Sequence, residues 1–143
     1  RMKCDGLDAA QLATRSVPPS TMSLLGLVRH LAEVERGWFQ RTLQGRGELP
    51  RHYQRPDAPD ADFDGATGDD DVVEEAFATW EAEVAAADEW LDRLEEPALG
   101  DEVPHHDGSV SVRDVLVHLI EEYARHAGHA DLLRECIDGR TGQ

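Results

Sequence analysis

The sequence predicts an all-α chain, folded as a four-helix bundle with a long crossover loop between its second and third helices. Three observations carry this expectation. Apolar residues recur at spacings of three and four over most of the chain. No segment sustains the period-two alternation of a half-buried strand, and β-branched content is low. One stretch, residues 48–71, has no period and separates two strongly periodic ones.

The elements follow in order. "LDAAQLATRSVPPST" (7–21) reads as a short helix and then a break, because Pro18 and Pro19 stop any helix. Ser20 or Thr21 suits the N-cap of the second helix. That helix, "MSLLGLVRHLAEVERGWFQRTLQG", places Leu24, Leu27, Val28, Leu31, Val34, Trp38 and Phe39 at helical spacing. Gly45 and Gly47 end it. Residues 48–71 hold Pro50, Pro56, Pro59 and a run of aspartates, and are expected to form one loop. Loops of that length are usually functional or mobile. Asp70 or Asp71 should cap the third helix, residues 72–96, with its stripe of Phe77, Trp80, Val84, Ala87 and Leu91. Pro97 and Gly100 close it. "EVPHHDGSVS" reads as a loop with a turn at Asp107-Gly108. Ser111 then caps the fourth helix, from Val112 to Ile137, and Asp138-Gly139 ends it.

Length and charge bound the function. A chain of 143 residues argues for one domain, 1–143, burying roughly 70% of its unfolded surface. It starts at Arg1, not at Met, so the expectation is a truncated first helix. The net charge is −16, from 30 acidic and 14 basic residues. Such a surface repels phosphate backbones and anionic bilayers, so neither nucleic acid nor membrane is expected as a partner. No apolar run approaches a membrane span, and no secretory signal is visible. Cys4 and Cys136 make no disulfide framework and read as free thiols in a reducing cytoplasm. There is no Asn, and Lys3 is the only lysine. Their codons are AT-rich, so the composition fits a high-GC bacterium.

The chemistry concentrates in "VHLIEEYARHAGHAD" (117–131). Residues four apart lie one above the other on a helix, and Glu122 and His126 are such a pair. They border the apolar stripe of Leu119, Tyr123, Ala127 and Ala130. On the second helix His30 lies between Leu27 and Val34, also on the apolar side. Bundles build metal sites from inward carboxylates and imidazoles on facing helices. One His plus a Glu/His pair gives three N/O ligands and an open fourth position, the layout of a catalytic zinc site. Each residue also has an ordinary structural reading. Glu122 could pair with Arg125 or Arg113 at the surface, His126 could bond a carbonyl, and His30 could face a dimer partner.

"LLGLVRHLAEVERGWF" followed at long range by "LVHLIEEYARHAGHADLLRE" resembles the DinB-like four-helix superfamily. The resemblance is closest to the branch containing mycothiol-dependent maleylpyruvate isomerase and many actinobacterial relatives, and it covers the chain from Cys4 to Gly142. It implies a divalent metal held by a His on the second helix, matched by His30, and by a Glu/His pair on the fourth, matched by Glu122 and His126. His129 stands where relatives often have a polar Gln, which implies a supporting or substrate-contacting place. His118 is one turn before Glu122. Three ligands at four-residue steps drift about 80° around a helix, so His118 should not share the ion and reads as a packed or interface residue.

The resemblance further implies thiol-dependent transfer or isomerisation, with a low-molecular-weight thiol such as mycothiol as cosubstrate and a small electrophile as partner. His/Glu ligation suits zinc and tolerates nickel, manganese or iron. The isomerase itself carries a further C-terminal domain, so isomerase activity is not expected of this chain. The rival readings are a non-catalytic metal-binding or stress-related bundle and a metal-dependent hydrolase. Exposed apolar helix faces suggest a homodimer.

Other signals read as ordinary. "DADFDGATGDDD" (60–71) partly matches a calcium loop, but prolines precede it where a helix should enter and it lacks the closing Glu, so a solvated acidic loop is expected. His105 and His106 are expected in solvent. Trp38, Trp80 and Trp90 are expected as core or interface anchors.

Overall fold

The computed structural model describes residues 1–106 and 108–142. α1 (Ala9–Leu12) is a single turn. Asp8 and Gln11 close a capping box at its start, each side chain accepting from the other's backbone N–H. α2 (Leu24–Glu35) is capped by Ser23, whose hydroxyl accepts from Gly26 N at 3.0 Å. The cap falls later than Ser20 or Thr21 because Ser20 turns locally, accepting from Met22 N. From Arg36 to Leu43 the same helix widens to π winding, and Thr42 Oγ1 donates to the Gly37 carbonyl five residues back, at 2.9 Å.

The crossover segment is less irregular than its sequence suggests. Arg55 and Ala58 bridge, and α3 (Ala61–Asp64) adds a helical turn. α4 (Asp70–Leu91) is capped by Asp69, one residue before the expected cap, and ends earlier than expected. A 3₁₀ stretch, Glu96–Gly100, follows. Then comes an antiparallel hairpin of β1 (Glu102–His105) and β2 (Gly108–Ser111), with Val103 opposite Val110. This corrects the expected loop. Four-residue strands interrupted by Pro104 are too short to show alternation. Of the expected turn, Asp107 lies outside the described residues. β2 runs directly into α5 (Val112–Asp138), where Ser111 is the cap, as expected, and Gly139 at φ 77° closes the helix.

α2 and α4 run parallel, which requires the long crossover. Ala76, early in α4, packs with Leu24, Leu25, Leu27 and Val28, while Ala87 packs with Phe39. α5 runs the other way, with Leu133 against the start of α2 and Val115 and Leu119 against its end. Two apolar clusters result. Between them, in height along the bundle, stand His30 on α2 and Glu122 and His126 on α5.

α2 is buried on more than one face. Arg29 and Glu33 are buried because the crossover segment covers the side that would otherwise meet water, and Glu35 is buried on the side facing α4 and α5. Arg29 holds that segment by donating from Nε to the Asp62 carbonyl at 2.8 Å and from Nη2 to the Ala61 carbonyl at 3.2 Å. Glu33 accepts from the backbone N–H groups of Tyr53 and Gln54. Close contact is permitted by Gly26. A Cβ there would lie 2.7 Å from Phe63 Cδ1. Among the described residues no helix is long and apolar enough to cross a membrane.

Candidate metal centre

α2 presents His30 between its two apolar stretches. α5 presents Glu122 and His126 one turn apart. One donor atom from each lies within 4.8 Å of the other two. The rings of His30 and His126 meet edge to face, with centroids 4.8 Å apart. All three side chains are mostly shielded from solvent: His30 is 22% exposed, His126 11% and Glu122 12%.

His30 is oriented by a residue the sequence reading missed. Its Nδ1 lies 2.8 Å from Asp62 Oδ2. With the proton on Nδ1 donated to that carboxylate, Nε2 is left with a free lone pair. Asp62 is 1% exposed and also accepts from Gln54 Nε2 at 3.1 Å and from Phe63 N. Burial pulls its carboxyl upward, but the hydrogen bonds from His30 and Gln54 outweigh burial and leave it below the ordinary range. It is therefore an ionised acceptor. The expectation of a solvated acidic loop fails at this residue. Asp62 is drawn inward because Phe63 beside it packs on the core and Arg29 grips its backbone.

Glu122 is held from two sides. Oε1 accepts from Arg125 Nη1 at 3.1 Å, and Oε2 lies 3.3 Å from His126 Nε2. The surface pairing with Arg125 is thus real, and it fixes one oxygen while the other turns inward. Burial pushes the His126 imidazolium down, the neighbouring His30 adds to this, and Glu122 offsets part of it. The net direction keeps His126 neutral, the form that donates to a metal. His129 Nδ1 lies 3.3 Å from His126 Nδ1. It can accept a hydrogen bond from His126 Nδ1–H, which leaves His126 Nε2 with the lone pair for a metal. His118 stays outside the trio. It is 40% exposed, 3.9 Å from Glu122 Oε1, and its ring meets Trp38 at 4.9 Å.

The donor set fits a divalent ion. Two neutral imidazoles and one carboxylate are borderline ligands suited to zinc and its neighbours, and three protein donors leave a position for another molecule.

A cavity of about 390 Å³ opens beside His30. It is lined by Trp38, Arg41, Arg51, Gln54, His105 and His106, among others. His105 is not in free solvent. The hairpin seats its ring 4.9 Å from that of Trp38. Trp38 packs on the second apolar cluster, as Trp90 does, and also lines the cavity; Trp90 meets Phe39, and Trp80 donates to Tyr123 Oη at 3.0 Å. Cys4 and Cys136 are both free and belong to neither site nor cavity.

Residues 1–139 match the family model of mycothiol-S-transferase. The chain belongs to the mycothiol-S-transferase family. That agrees with the DinB-like branch indicated by the two helical motifs. Among solved structures, a conserved protein from Enterococcus faecalis is similar, with a TM-score of 0.69 at 18% identity over 97% of this chain and 88% of that one. At that identity the likeness speaks for the helical fold alone. No curated protein matches the sequence significantly.

Proposed function

We propose that this mycothiol-S-transferase family member is a metal-dependent enzyme that joins a low-molecular-weight thiol of the mycothiol type to a small electrophile. The observation that carries the reading is the convergence of His30, Glu122 and His126 within 4.8 Å in a chain of that family. These three residues would hold a divalent ion, zinc by the chemistry of the donors. When bound, the ion would supply Lewis acidity and lower the pKa of a thiol at its open position from about 8.5.

The chain's own residues do the rest. Asp62 fixes the tautomer and ring plane of His30. Burial keeps His126 neutral, and His129 sets which of its nitrogens is free. Arg125 pins one oxygen of Glu122 so that the other faces inward. The two apolar clusters above and below the trio limit water and hold the donors apart from bulk solvent. The cavity beside His30 receives the electrophile.

A reducing cytoplasm suits thiol chemistry, and the two free cysteines agree with it. The expected homodimer has one support, the exposure of Val117, Ile120 and Leu132 on α5. Light scattering at working concentration tests it.

The direct test incubates zinc-loaded protein with mycothiol and an activated aryl chloride and follows the S-conjugate by mass spectrometry. Conjugate formed faster than in buffer, and lost in His126→Ala, is the expected result. Turnover of an ester that needs no thiol would point to hydrolysis instead. Metal binding with neither activity would leave a non-catalytic bundle.

A further inference from the structure

We infer that the cavity beside His30 is an anion subsite, in which Arg41 receives a carboxylate on the electrophile. The inference deepens the transferase reading and relies on it for the identity of the reacting centre.

Acidic residues outnumber basic ones 30 to 14, so a cation on this chain has many acids to pair with. The shielded arginines do so. Arg36 pairs with Glu83 and Arg134 with Asp138, each through short contacts. Arg29 faces Glu75 at 3.7 Å and grips two carbonyls. Arg41 is half-buried and, among the described residues, has no carboxylate partner; its guanidinium donates to the Leu49 carbonyl. A carbonyl orients a guanidinium without neutralising it. Among the described residues the rest of its donor fork has no partner, and so it is available to what enters the cavity that Arg41 lines.

The neighbours sharpen this. Arg51 adds a second cation, only loosely balanced by Glu33 at 3.8 Å, since its Nη1 donates to Gln54 at 3.1 Å. Among the described residues no Asp lines the cavity and Glu33 is the only acid there; its Oε1 is committed to the backbone of the crossover segment, and its Oε2, without a hydrogen-bond partner, faces Arg51. Trp38 supplies a flat wall between His105 and His118. At about 390 Å³ the space suits a small molecule. A thiol bound at the open metal position does not use these cations. A flat, conjugated electrophile with a carboxylate would use all of them, the ring against Trp38 and the anion on Arg41.

The test uses a matched pair, chloro-dinitrobenzoate and its neutral methyl ester, with mycothiol and the zinc-loaded protein. The sulfur forms a bond to the ring carbon, the carbon–chlorine bond breaks, chloride leaves and the thiol proton passes to buffer. In parallel, the unreactive dinitrobenzoate and its methyl ester are titrated by calorimetry, with and without zinc. The acid should bind at least about tenfold more tightly than the ester, as expected for a charge-assisted contact. Arg41→Gln should remove that preference and leave the ester unchanged, and Arg41→Lys should restore part of it. KM for the chloro acid should rise about tenfold in Arg41→Gln with kcat little changed.

Equal binding of acid and ester, or a preference that survives Arg41→Gln in a protein with an unchanged melting curve, would overturn the proposal. So would acid binding that needs zinc and ignores Arg41, which is coordination of the ion. If Arg41→Gln does not fold, wild type still decides. Binding of the acid, but not the ester, must weaken as sodium chloride rises, and salt-independent binding overturns the subsite. Arg41-dependent binding without turnover would keep the subsite and remove the transferase reading. Turnover of both compounds with no role for Arg41 would do the reverse.

Discussion

Asp62 Oδ2 stands 2.8 Å from His30 Nδ1, although the two residues are 32 positions apart and belong to different elements. The contact couples the crossover segment to the candidate metal centre. Partners of this kind orient a ligand imidazole and raise its basicity, and losing one typically costs about 10–100-fold in metal affinity. Asp62→Asn is therefore expected to weaken zinc binding by that order while all three ligands remain. Competition against a chromophoric chelator measures it. An unchanged affinity would mean that His30 is positioned by packing alone.

Gly26 makes a second prediction through the same contact. A methyl group at this position would press on Phe63 at 2.7 Å and push α3 off α2. Gly26→Ala is expected to cost about 1–3 kcal/mol of stability, as overpacking does, and to weaken zinc binding through the displaced Asp62. Urea unfolding and the chelator competition should move together. A stable variant with normal zinc affinity would show that α3 can shift without disturbing the site.

The four histidines around the centre should behave differently. His30→Ala and His126→Ala remove donors. His129→Ala should weaken zinc several-fold, because it meets the trio through His126. His118→Ala should leave metal content unchanged, since its ring lies on Trp38 and outside the trio. Metal analysis of the four variants after identical dialysis distinguishes these roles. Loss of metal in His118→Ala would enlarge the ligand set.

Glu35 predicts a pH dependence unrelated to the metal. It is 6% exposed, accepts from Tyr123 Oη at 2.5 Å, and has one oxygen without a partner. Burial pushes its carboxyl up; the Tyr123 hydrogen bond opposes this, and Asp88 and Glu83 add to the rise. A raised folded pKa means that the stability is fully present below the unfolded value, about 4.3, and is lost as pH rises through the folded one. Glu35→Gln imitates the protonated form. Its stability relative to wild type should therefore be greater at pH 8 than at pH 4, read as the difference in urea midpoints. A difference constant with pH would contradict the assignment.

The parts of the site legible in the sequence were those carried by helical period. His30, Glu122 and His126 each sit beside an apolar stripe, and period alone puts them on inward-facing rows. Asp62 was not legible in that way. It lies in an acidic run without period, and its burial depends on Arg29 gripping the backbone from 33 residues away. The one available signal was Phe63, a large apolar residue inside a polar loop, which marks a point of docking. His105 was missed because a four-residue strand leaves no pattern, and its place against Trp38 exists only once the hairpin forms. The π winding of Arg36–Leu43 likewise has no mark in the apolar spacing.

The proposed transferase depends on a metal held by His30, Glu122 and His126. Elemental analysis tests it most directly, on protein purified without an affinity nickel column, for wild type and for the Glu122→Ala/His126→Ala double variant. About one equivalent of zinc in wild type and none in the double variant, with both folded by circular dichroism, is the expected result. No metal in wild type, and no uptake when zinc is added, would contradict it and leave the trio as a feature of packing.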